Sequence, residues 1–137
     1  MYLFPGEEAM YPAGGPWYTI MESEGGVEHF TGNKPLILNC RGRCHREKRP
    51  LACRLFPLAP YLDPEGNLNI VLDDDALLMC PLVRQGEPEA IDPDFREAVR
   101  RVWVDLLQDS SVRDTVRGYS ARIDRQSSDP WRLFFKT

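Results

Sequence analysis

The chain has 137 residues, is 42% hydrophobic and 28% charged, and carries a net charge of −4. That is one domain of common size with an ordinary globular composition, long enough to bury a core without cysteine staples. The acid excess argues against a general nucleic-acid binder, and no run approaches the roughly 18 consecutive apolar residues of a membrane span.

The opening MYLFPGEEAM has neither a basic leader segment nor a long apolar one. It is therefore no secretory signal, and a cytoplasmic protein is expected. Residues 1–35 are punctuated by glycine and proline, so only short elements fit. Pro5-Gly6-Glu7-Glu8 suits a single helical turn with acids at its positive end. WYTIM (17–21) reads as a short strand. PLILN (35–39) reads as a buried strand leading into Cys40.

APYLDPEGNLNIVL (59–72) predicts a β-hairpin. Asp63 to Asn67 supply turn residues between alternating apolar positions. In DDDALLMCPL, Asp73 or Asp74 is expected to cap a helical turn that delivers Cys80 and stops at Pro81. Asp92 is the expected cap of a longer helix with Pro93 at its first position. Phe95, Val99, Val102, Trp103, Leu106 and Leu107 recur at helical spacing. A second helix starts near Ser110 or Ser111, with Val112, Val116, Tyr119 and Ile123 as its apolar stripe. The tail carries Trp131, Leu133, Phe134 and Phe135, expected to dock on the protein's own core.

The fold class expected is α+β: an irregular Cys-bearing β region with the 59–72 hairpin, packed against two or three C-terminal helices. One domain over 1–137 is expected. Within it, 1–84 is the cysteine region, 92–125 the helical region and 126–137 the aromatic tail.

The distinctive stretch is NCRGRCHREKRPLACRLFPL (39–58). Cys40, Cys44 and Cys53 fall within fourteen positions, and Cys80 follows after 26 intervening residues. Residues 41–54 have a net charge of +5, so the remaining residues sum to −9. In a reducing compartment structural disulfides are rare, so clustered cysteines read as metal ligands or working thiols. Cys40, Cys44, Cys53 and Cys80 are the right number for tetrahedral zinc or an iron–sulfur cluster. Gly42 favours a tight loop between the first two, and His45 is an alternative ligand.

Four thiolates on zinc leave a formal −2, which needs compensation when buried. Arg41, Arg43, Arg46, Arg49 and Arg54 are placed to supply it, or to bind an anion. Positive charge also lowers a thiol pKa. The same logic serves a thiol-redox pair, Cys40 and Cys44, or inert buried thiols, so spacing leaves these readings open. His29 reads as a surface loop histidine, and Asp73 to Asp75 as a solvated turn. No phosphate-binding glycine loop, nucleophile elbow or H-E-x-x-H zinc motif is present.

Cys40-x3-Cys44, Arg49-Pro50-Leu51, Cys53-Arg54, Phe56-Pro57, the later Cys80 and the early YLFPGEE (2–8) together resemble the YkgJ-like cysteine-cluster family of zinc- or iron-chelating domains. The resemblance spans roughly residues 2–84. It implies chelation rather than a known reaction. That family normally carries a C-x-x-C-C-type cluster ahead of the LFPGE-like stretch, whereas here no cysteine precedes Cys40. The expectation is a chain shortened at its N-terminus, or one that has lost half the cluster. Its thiols would then be able to stay metal-free or pair as an adventitious Cys40–Cys44 disulfide.

The function expected is a cytoplasmic metal-binding module with zinc or an iron–sulfur centre, structural or for delivery to a protein partner. The alternatives are a thiol-redox protein and a basic module gripping phosphate, RNA or an acidic partner. Nucleic acid and membrane are not the expected partners.

Overall fold

The computed structural model describes residues 1–12, 15–23 and 35–126. The chain divides into two compact units, Met1–Arg54 and Leu55–Thr137. His29 and the tail aromatics lie outside the described residues.

In the first unit a 3-10 turn, Glu7–Met10, follows Pro5 and Gly6. Strand β1 (Tyr18–Glu22) pairs antiparallel with β2 (Leu36–Cys40), in a register that sets Tyr18 opposite Cys40. The N-terminal segment bridges the free edge of β2 at Tyr2 and Ile37. There Leu3 N–H donates to the Leu36 carbonyl and Leu38 N–H to that of Met1, each at 2.9 Å. Of β2 only Leu38 is fully buried, so the expected buried strand is half-exposed. Leu38 joins Leu3, Tyr11 and Tyr18 in a small core, with Trp17, Ile20 and Leu36 packed against it. Tyr11, Trp17 and Tyr18 meet edge to face, with ring centroids 4.8–6.4 Å apart. A short helix, α1 (Leu51–Leu55), follows Pro50.

In the second unit β3 (Leu58–Leu62) and β4 (Leu68–Leu72) form the antiparallel hairpin expected from the sequence. Its turn is closed by Asp63. The Asp63 backbone bonds Asn67, and its carboxylate accepts the Asn67 N–H at 2.7 Å. Gly66 takes φ +88°, a conformation that favours glycine. Helix α2 (Ala76–Met79) precedes Cys80, and α3 (Pro81–Arg84) follows it directly. The turn stops before Pro81 as expected, and Pro81 in addition starts the next helix. At the first helical position its missing N–H costs nothing and its ring fixes a helical φ. Neither Asp73 nor Asp74 is the residue that flanks α2. Asp75 is, without a side-chain cap, while Asp73 Oδ1 accepts the Asp75 N–H.

Helix α4 (Pro93–Leu106) begins as expected. Asp92 caps it, accepting from the N–H groups of Asp94 and Phe95. Helix α5 (Ser110–Gln126) begins where Asp109 Oδ1 accepts from Ser111 and Val112. Both helices pack on the hairpin, α4 against β3 and β4 and α5 against β3. Val99, Trp103, Leu107, Val112, Val116 and Ile123 are buried, whereas Val102 lies at the edge of the stripe and is exposed. The fold is α+β, and among the described residues no helix is long and apolar enough to cross a membrane.

One buried hydroxyl fastens α5 to the hairpin. Ser120 Oγ accepts the Leu62 N–H and donates to the Val116 carbonyl, both at 2.8 Å. Ser120→Ala leaves the strand-end N–H without its partner in a buried place. The expected loss is about 1–3 kcal/mol, read as a lower urea midpoint with an unchanged slope. A change indistinguishable from an exposed-site substitution would show that Leu62 finds another acceptor.

Candidate functional site

The cysteine loop is built outward from the first unit's core. Strand β2 ends on Cys40, whose side chain is exposed. The next residue is tied back: Arg41 N–H donates to the Trp17 carbonyl at 2.8 Å. Gly42 then reverses the chain at φ +117°. That supports the reading of a tight loop between Cys40 and Cys44. A 3-10 turn, Arg46–Lys48, leads to Arg49 and Pro50. Tyr11 holds this turn from the core, its hydroxyl donating to the Lys48 carbonyl at 3.0 Å. Cys53 sits half-buried on α1.

Glu7 fixes α1. Its Oε1 accepts the Leu51 N–H at 2.7 Å, the first donor of the helix that carries Cys53. Its Oε2 accepts the Phe4 N–H at 2.8 Å. The PGEE acids read as dipole partners of their own turn, yet one of them serves a helix 44 residues on. Nothing local to residues 5–8 signals that, because the pairing depends on the tertiary fold. Glu7→Ala is expected to cost about 1–3 kcal/mol by stranding two part-buried donors. Amide exchange at Leu51 should quicken at the same time. Unchanged exchange there would detach Glu7 from α1.

Two of the thiols are shifted. The Cys40 thiol is pushed up, first by burial and then by the neighbouring Cys44. The Cys53 thiol is pushed up, first by burial and then by Cys40 and Cys44. Arg49 opposes both shifts, and its Nε donates to Cys44 Sγ at 3.2 Å. The basic loop predicts thiols shifted downward. The correction has a physical reason: burial and neighbouring thiol charge outweigh the Met1 ammonium and Arg49, the cations that pull the other way. Among the described residues, Arg49 is the arginine that touches a cysteine.

His45 is exposed and lies 3.9 Å from Glu47 rather than turning to the sulfurs. Cys80 belongs to the second unit. It is 7% exposed and packs with Ala76 and Val83, flanked by Phe56 and Leu72, as a small apolar side chain does. Soft sulfur donors suit zinc or iron. As placed, however, no three His, Cys, Asp or Glu side chains among the described residues form a group able to hold a metal ion. The donor chemistry fits a metal, and the convergence does not. The electrostatic coupling extends over a longer range than ligation does, which reconciles the two observations.

Comparison with known proteins adds no assignment: no family model, no curated protein and no solved structure matches the chain.

Proposed function

We propose that the Cys40, Cys44 and Cys53 loop chelates a soft metal, zinc or iron, in a cytoplasmic metal-binding module. The observation that carries this is the placement of Cys40 and Cys44 on one short loop and Cys53 on the helix that follows it, with Arg49 bonded to Cys44. Ligation requires the loop to close about Gly42, because as placed the described sulfurs form no group able to hold a metal ion. Metal binding and ordering of the loop are then one event. The metal serves structure or delivery to a partner. The resemblance to YkgJ-like domains in the Cys-Arg-rich stretch supports the same reading.

The test is elemental analysis of protein purified without oxygen. About one zinc or iron per chain is expected. Less than about 0.2 equivalents of any transition metal would overturn chelation.

The close spacing of Cys40 and Cys44 along the loop, with Arg49 bonded to Cys44, favours a second reading, a redox pair. The two thiols would give two electrons and two protons to a partner disulfide, forming a Cys40–Cys44 bond. Metal-free protein that cycles reversibly with a dithiol reagent, and loses this in Cys44→Ser, would favour it over chelation.

A further inference from the structure

The loop that presents the thiols also presents unpaired positive charge. Arg41, Arg43, Arg46 and Lys48 are exposed. Among the described residues none of the four forms an ion pair with a carboxylate. Elsewhere three arginines do pair: Arg101 with Glu97 and Arg117 with Asp114, each at 3.8 Å, and Arg122 with Asp74 at 3.3 Å. The rest of the sequence has ample acid, with a net of −9 outside residues 41–54. Nor is the loop a loose tail. The Arg41–Trp17 and Tyr11–Lys48 bonds and the Arg49–Cys44 contact fix both of its ends.

We infer that residues 41–48 are a docking surface for an acidic segment of a partner protein. Three of the four cations are arginines, whose planar forks take carboxylates in pairs, whereas lysine is a point charge. The acidic remainder of the chain decides between polyanions. A long nucleic acid running past the loop meets the repulsion of that remainder, whereas a short acidic segment need cover only the island. Binding of this kind gains more in association rate and specificity than in affinity, and it weakens with salt. The inference does not rest on chelation, because the cations are exposed whether or not the thiols hold a metal.

The test uses the full chain and a fluorescein-labelled peptide of mixed Glu and Asp, about ten residues long, at about 50 mM salt. Anisotropy should show saturable binding that weakens at least about tenfold between 50 and 300 mM salt. The Arg41→Glu/Arg43→Glu/Arg46→Glu variant should lose at least about tenfold in affinity with an unchanged circular dichroism spectrum. The Lys variant of the same three positions keeps the charge and should lose less. If the Glu variant misfolds, the Lys variant and the salt series still decide. No peptide binding at low salt would overturn the proposal. So would equal loss in an Arg100→Glu/Arg101→Glu control on α4, or tighter binding of single-stranded RNA of matched length. Repeating the titration in the presence of a chelator should leave the binding in place, which separates this surface from the metal reading.

Discussion

Trp103→Ala should destabilise the second unit by about 3–5 kcal/mol, the largest single effect expected from any core truncation in this chain. Trp103 is the largest of the fully buried side chains, at 1% exposure. It lies in the last turn of α4, the helix that packs on both strands of the hairpin. Removing the indole takes away its transfer free energy and leaves a cavity that a short helix on a two-stranded sheet can only partly close. A loss of that size lowers the melting temperature by on the order of 15 °C. Val104 is the control. It is the next residue on the same helix but is 42% exposed, so Val104→Ala should stay within about 0.5 kcal/mol. Equal effects of the two would mean that the stripe is not the packing face. Trp103→Phe should recover much of the loss, because it refills most of the volume.

The contrast between these neighbours was readable before any coordinates, because helical spacing is a local signal. So were the α4 cap at Asp92 and the turn closed by Asp63. Each depends on residues within four positions of one another, and local geometry decides them. Pro81 shows where a local rule is incomplete. The same ring that stops one helix starts the next, and only the following residues choose. Val102 marks another limit, since a stripe read from spacing is wider than the face the hairpin covers.

The candidate site was legible in composition and not in arrangement. The sequence marked five arginines as equivalent partners of the thiols. The fold gives one of them, Arg49, a bond to Cys44, because the Arg46–Lys48 turn and Pro50 aim that side chain back along the loop. Glu7 was unreadable for the opposite reason: its motif was plain, but its partner lies at Leu51. The raised thiols were unreadable too. Their direction is a balance of burial against charge, and burial is a property of the folded chain.

Cys53→Ser provides the second large effect, and it discriminates because it is conditional. Cys53 is half-buried and carried on a helix, so under the chelation proposal it is the ligand toward which the two loop thiols would close. If the loop binds zinc, ligation free energy is folding free energy for the first unit. The variant should then lose most of its metal, and its melting temperature with zinc should fall by on the order of 10 °C. In a chelator the same substitution should shift it by only a few degrees, because a serine replaces a half-buried thiol of similar size. Cys53→Ala guards against weak ligation by the serine hydroxyl and should behave alike. The informative quantity is the difference between the zinc and chelator shifts, which cancels any packing cost common to both. A difference near zero, with wild-type metal content, would remove Cys53 from the ligand set and leave the Cys40–Cys44 pair as the working chemistry of the loop. A large difference would instead require that pair to close on α1, and Gly42→Ala should then weaken zinc binding by straining the left-handed turn on which that closure pivots.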